Sequence, residues 1–207
     1  NTGRPKKRLY IMDYKGTPLN HCPGTRGHLC CNYLVVNLAA GCPLNCSYCI
    51  LQHYINTPYL TLYANVDYFL ESIHSELKAA SGATLRIGTG ELTDSLALDQ
   101  ITGLSKVLVP FFAEKHNALL ELKTKTAAVA NLLDLAHKGR TVVAWSLNPQ
   151  SIIDSDESGA ATLQERLEAA SLCQGAGYPL AFHFDPMVHY QGWEQDYKEV
   201  VDALFSL

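Results

Sequence analysis

From residue 33 onward, short apolar runs alternate with segments of helical periodicity, and this alternation restricts the fold more than any other feature of the chain. Strand-like runs occupy 33–39, 59–64, 84–88, 119–124, 141–147 and 179–184. Helices are predicted over 66–80, within 95–115, and over 127–137, 160–174 and 193–205. In 66–80 the residues Phe69, Leu70, Ile73 and Leu77 fall on one face, and 160–174 stops near Gly175 and Gly177. Roughly five β–α units in succession predict parallel strands joined by right-handed helical crossovers. The sheet is then an open doubly wound one or a barrel, complete or partial. Either closure places ligands at the carboxyl ends of the strands. Residues 1–32, rich in Pro, Gly, Lys and Cys, read as an irregular extension before the domain of 33–207. The chain does not open on Met, and it ends at Leu207 in sequence that still looks helical just past 205, so truncation at the C-terminus is expected.

The 207 residues are 47% apolar and only 17% charged, which suits a folded domain with a real core and excludes a disordered chain. No apolar run approaches the ~18 residues of a membrane span, and no export signal is visible. The net charge of −4 argues against broad non-specific binding to nucleic acid, although residues 4–8 form a local basic arm. The seven cysteines are Cys22, Cys30, Cys31, Cys42, Cys46, Cys49 and Cys173. An odd count without a signal peptide points to a reducing cytoplasm and metal ligation rather than a disulfide scaffold.

Three of those thiols lie within eight residues, as Cys42-x3-Cys46-x2-Cys49 directly after the first strand. A structural zinc site requires four ligands, usually from two C-x2-C pairs; here His53 or Cys31 would have to complete it. A ferredoxin-type cluster uses C-x2-C-x2-C and a distant fourth cysteine. A [4Fe-4S] cluster held by three thiolates leaves one iron open to a ligand. Polar residues gather at the carboxyl ends of four further strands: Thr89–Asp94, Lys123–Lys125, Ser146 with Asn148, and His183 with Asp185. Residues two apart on a strand share a face, so such tips describe a rim pocket. Cys173 and Trp193 read as packing residues, and His183 and His189 as a hydrogen-bonded rim.

The run Cys42-x3-Cys46-x-Tyr48-Cys49 resembles the signature of the radical S-adenosylmethionine superfamily, C-x3-C-x-aromatic-C. The resemblance implies a partial (β/α)6 TIM-type barrel. It implies a [4Fe-4S] cluster on Cys42, Cys46 and Cys49, with its open iron chelating S-adenosyl-L-methionine. It also implies an electron donor such as flavodoxin or ferredoxin. Gly88-Thr89-Gly90-Glu91 is similar to the Gly-Gly-Glu-like turn that receives the cofactor's amino group after the second barrel strand. Glycines admit close backbone approach, and a carboxylate accepts from an ammonium.

A narrower resemblance, from Cys22 onward, is to spore photoproduct lyases. It rests on Leu51-Gln52 after the third cysteine, on Trp145-Ser146-Leu147-Asn148, and on Gly177-Tyr178-Pro179-Leu180 followed by Gly192-Trp193. It implies a cofactor pocket lined by Tyr48, Gly90, Glu91, Thr93, Lys125, Ser146, Asn148 and Asp185, with Tyr48 and Glu91 at catalytic positions. It implies DNA as a possible partner. The chain departs from that family at two points. The hydrogen-returning cysteine falls at Glu91, and the tyrosine after the third cluster cysteine falls at Ile50. A carboxyl O–H bond is too strong to replace a thiol as a hydrogen-atom donor. Radical generation is therefore the expected activity. Its substrate is a DNA lesion or another molecule, and a zinc-binding module is the non-enzymatic alternative.

Overall fold

The computed structural model describes residues 8–22, 24, 27, 32–80 and 84–206. In chain order the elements are β1 (Leu9–Met12), β2 (Leu19–His21), β3 (Tyr33–Val36), β4 (Ala39–Ala40), β5 (Asn45–Cys46), α1 (Leu51–Tyr54), β6 (Leu60–Tyr63) and α2 (Val66–Ala79). They continue as β7 (Leu85–Gly88), α3 (Asp99–Thr102), α4 (Leu104–Ala113), β8 (Ala118–Thr124), β9 (Thr141–Ser146), α5 (Gln150–Asp156) and β10 (Glu157–Ser158). The last three are α6 (Leu163–Gly175), β11 (Leu180–His183) and α7 (Trp193–Leu204).

Among the described residues the largest sheet has six strands in the order β11-β9-β8-β7-β3-β2. The pairs from β3 to β11 are parallel, and β2 closes one edge antiparallel to β3. This is the β–α array expected of a partial barrel, with the helices packed on the outer face. Alternation along β8 shows the division. Leu120 and Leu122 enter the outer core with Phe69, Ile73, Leu108 and Trp145, whereas Glu121, Lys123 and Lys125 take the opposite face. On that inner face Glu121 receives Nη2 of Arg86 at 3.0 Å and meets Nε2 of His183 at 3.0 Å. An ideal Cβ on Gly88 would stand 1.7 Å from the hydroxyl of Tyr33, so only glycine lets that ring cross β7.

Most predicted elements are present, and three differ. Two strands, β1 and β2, fall in the stretch expected to be irregular, because each finds a partner edge: β1 pairs with β6, and β2 with β3. The run 59–64 contributes β6 to a small sheet of order β1-β6-β4 rather than to the barrel. Residues 127–137 form a chain of turns, not a helix. The segment is tied to its neighbours from outside: Trp145 Nε1 donates to Thr126 O at 3.0 Å, and Tyr178 Oη to Leu132 O at 2.8 Å. Val129 and Leu132 are buried by this route, so tertiary contact overrides local propensity. Residues 4–7, Cys30, Cys31 and Leu207 lie outside the described residues. Among the described residues no helix is long and apolar enough to cross a membrane.

Candidate active site

The cysteine loop is positioned at both ends. Beyond β3 and β4 the chain reverses at Gly41, whose φ of 84° is left-handed and suits glycine. Its N–H donates to Leu92 O at 2.9 Å, joining the loop to the turn after β7. Cys46 lies in β5, opposite Glu157 of β10. Cys49 lies just before α1 and is tied to it by Gln52 N, which donates to Cys49 O at 3.1 Å. The three cysteines share the wall of a cavity of about 150 Å³ with Tyr48, Gly90 and Thr93, and with Lys123, Lys125 and Ser146 from the ends of β8 and β9.

The turn after β7 is organised by Asp94, which also lines this cavity. One carboxylate oxygen accepts from Leu96 N, Ala97 N and Thr124 Oγ1 at 2.8–3.0 Å. The other accepts from Lys125 N at 2.7 Å. Asp94 thereby locks the turn to the end of β8 and sets the starting point of the Lys125 side chain. Lys125 Nζ stands 5.8 Å from the centroid of the Tyr48 ring, within cation–π range. Ser95 Oγ accepts from Lys123 N at 3.1 Å and pins the same strand end.

Burial pushes the Cys42 thiol up to about 12, with the Asp94 charge adding to it. Burial likewise raises Cys46 to about 11; Glu157 adds to the rise and Lys125 opposes it. In the metal-free chain both thiols are therefore neutral, and loading iron must release their protons. At pH 8 a thiol titrating near 11 is about one part in a thousand thiolate. Alkylation of metal-free protein is accordingly expected to reach Cys42 and Cys46 slowly at pH 8 and to accelerate as pH rises toward 11. Peptide mapping after timed iodoacetamide treatment measures this.

The residues on this wall fit an iron–sulfur cluster with an S-adenosylmethionine-like ligand. Three thiols face one cavity that a lysine also faces. Thr93, 8% exposed, carries a buried hydroxyl with no hydrogen-bond partner among the described residues, and it lines the same cavity. A Cβ on Gly90 would press to 3.2 Å from Ser95 Oγ, so glycine keeps the turn close to β8. Among the described residues no three His, Cys, Asp or Glu side chains are grouped to hold a single metal ion.

Cys42, Cys46, Cys49, Tyr48, Gly90, Thr93, Lys125 and Ser146 are thus brought together. Glu91 sits beside that wall, where it accepts from Asn37 Nδ2 at 2.6 Å. Asn148 does not reach the cavity. It is fully buried, its Nδ2 donating to Glu157 at 2.8 Å and its Oδ1 accepting from Tyr197 Oη at 2.6 Å. Asp185 is exposed and pairs with Lys123 at 3.2 Å. His53 is exposed on α1 and is not on the cavity wall. His183 is held by Glu121, and Cys173 is in the core. Asp94 belongs to the 89–94 strand tip expected at the rim, although its role in locking the turn was not; Asn37, Glu157 and Arg166 were not anticipated as site residues, and no local pattern marks them.

Residues 29–206 match the family model for spore photoproduct lyase. The chain belongs to the spore photoproduct lyase family. It is 31% identical over 170 residues to the spore photoproduct lyase of Bacillus subtilis, an alignment covering 82% of this chain and 50% of that protein. Against the spore photoproduct lyase of Clostridium acetobutylicum it is 24% identical over 165 residues, covering 79% of this chain and 49% of the other. The fold matches a solved mutant of spore photoproduct lyase with bound AdoMet and dinucleoside spore photoproduct. The TM-score is 0.88 at 28% identity, covering 96% of this chain and 57% of that one. A second structure, complexed with dinucleoside spore photoproduct, matches with a TM-score of 0.87 at 27% identity, over 96% of this chain and 57% of that one. The chain therefore spans about half the length of the curated relatives it matches.

Proposed function

We propose that this chain carries the radical-generating half-site of a spore photoproduct lyase-like enzyme. Cys42, Cys46 and Cys49 would hold a [4Fe-4S] cluster, and S-adenosyl-L-methionine would lie across the remaining wall. The observation that carries the reading is the single cavity wall on which three thiols, Thr93, Lys125 and Ser146 converge. When bound, the cluster and cofactor supply reductive cleavage of the sulfonium to methionine and a 5′-deoxyadenosyl radical, with the electron delivered by a flavodoxin- or ferredoxin-class donor. The chain's own residues orient and shield. Lys125 supplies the cation for a carboxylate, and Glu91, beside Gly90, the acceptor for an ammonium. Thr93 and Ser146 offer hydroxyls, and the Tyr48 ring walls one side.

The substrate is a hydrogen-bearing molecule that enters at this rim. The related structures that carry dinucleoside spore photoproduct favour a DNA lesion, and Glu91 at the position of the hydrogen-returning cysteine favours another substrate. Anaerobic reconstitution tests the shared chemistry. The expected result is a brown protein with about four irons per chain that releases 5′-deoxyadenosine when given S-adenosylmethionine and dithionite. A colourless protein with a single zinc would overturn it. Adding dinucleoside spore photoproduct separates the substrates: recovery of thymines supports repair, and cofactor cleavage without recovery removes it.

A further inference from the structure

We infer that Glu157, backed by Arg166, is a positioning residue for residues 46–49, holding Tyr48 with its ring toward the cavity and its hydroxyl away from it. The inference rests on the cluster reading for its consequence, not for its geometry.

Glu157 has a fully buried side chain and is not on the cavity wall. Three elements converge on it. Tyr48 Oη donates from the cysteine loop, Asn148 Nδ2 donates from beyond β9 at 2.8 Å, and Arg166 Nη2 donates from α6. Arg166 is itself fixed, with Nη1 donating to Ser146 O at 2.8 Å and Nε to Ala161 O at 2.9 Å. Asn148 is fixed through Tyr197, whose hydroxyl accepts from Val188 N at 2.8 Å. The backbone repeats the link. Glu157 pairs with Cys46 across β10 and β5, and Ser47 N donates to Asp156 O at 2.8 Å. The side chain of Ser47 also bonds Asp156.

The chemistry of these groups sets the direction of the Tyr48 hydroxyl. An ionised carboxylate only accepts, so the phenol must be the donor. A phenol has one proton, and here it points into the ion pair. What Tyr48 presents to the cavity is therefore its ring, with Lys125 above it. A buried, fully hydrogen-bonded pair that reaches a ligand-bearing loop acts as outer-shell partners do at metal sites: it fixes where the ligands stand.

Tyr48→Phe, Glu157→Gln and the combination of the two test this. Each is reconstituted anaerobically beside the unaltered chain. The first readout is the rate at which a chelator strips iron. The second is the electron paramagnetic resonance spectrum of the reduced cluster with S-adenosylmethionine added. Each single substitution is expected to speed iron loss on the order of ten-fold and to alter the spectrum. The combination is expected to be no worse than the stronger single, because both cut one link. Unchanged iron loss and spectrum in Glu157→Gln would overturn the inference, and so would effects that multiply in the combination. Should Glu157→Gln not fold, because Arg166 is left unpaired, Glu157→Gln/Arg166→Gln removes both charges and serves in its place. If the unaltered chain takes up no cluster, the cofactor reading fails separately. Hydrogen exchange at the Ser47 amide of metal-free protein then decides: exchange on the order of ten-fold faster in Glu157→Gln supports the positioning role, and unchanged exchange removes it.

Discussion

Cys46→Ala is expected to abolish 5′-deoxyadenosine formation while leaving the fold in place. Cys46 is the most enclosed of the three loop cysteines, with 6% of its surface exposed, and it sits in β5 against β10. Truncating the side chain to a methyl removes one heavy atom, the sulfur, from a packed site, which costs about 1 kcal/mol by analogy with small core truncations. For a chain of this size that corresponds to a melting shift of only about 2–4 °C. The effect on iron is of another order. Two thiolates cannot hold a cubane that three would hold, so iron per chain is expected to fall from about four to background. Iron assay, visible absorption and product chromatography read the loss, and circular dichroism confirms the retained fold. Undiminished cofactor cleavage in Cys46→Ala would dismiss the three-thiolate centre outright.

Arg166→Ala is expected to be the most damaging substitution for stability. Neither side chain of the Arg166–Glu157 pair is exposed to solvent. Removing the guanidinium leaves a buried carboxylate without its counter-charge and frees the carbonyls of Ser146 and Ala161. Breaking such a pair from one side costs about 3–5 kcal/mol, or on the order of 6–20 °C in melting temperature for a chain of this length. The pair also gives stability a pH dependence of definite sign. Burial alone would raise Glu157, but the Arg166 charge and the hydrogen bonds from Tyr48, Asn148 and Arg166 outweigh it and hold the carboxyl below its ordinary 4.5. A depressed carboxyl contributes stability that is present above the unfolded value and lost as pH falls through the folded one. Unaltered protein should therefore lose this contribution progressively below about pH 4.5. Arg166→Ala should be destabilised already at neutral pH, with a shallower acid limb. Chemical denaturation followed across pH 3–8 measures both.

The parts legible in the sequence were those governed by local pattern. The strands 84–88, 119–124 and 141–147 carry Leu, Ile and Val in short runs, and they lie within a residue of β7, β8 and β9. The cysteine spacing and the Gly88–Glu91 turn located one side of the cavity, and the strand tips Lys125 and Ser146 the other. What was not legible depends on contacts distant in the chain. Residues 127–137 have helical composition, yet Trp145 and Tyr178 bond the carbonyls of Thr126 and Leu132 and hold the segment as turns. Asn148 shares strand parity with Ser146, but parity alone could not reveal that Tyr197 and Glu157 claim both ends of its amide. Glu157 closes the polar run Asp154-Ser155-Asp156-Glu157, and nothing local marks it as the buried member of that run. Arg166 shares the face of α6 with Ala170 and Cys173, and nothing near it in the sequence shows that Glu157 will receive its charge there.

The Glu157–Arg166 pair carries one charge of each sign, and its far field is close to nil. The electrical character of the neighbouring cavity is left to Lys125 and to Lys123 with its partner Asp185, against Asp94, groups that sit nearer to solvent and its ions. Salt at the molar level shortens the Debye length to about 3 Å and quenches the second set while hardly touching the first. Titrating ionic strength thus separates attraction of an anionic guest from rigidity of the loop that receives it: capture should weaken with salt while the loop keeps its shape.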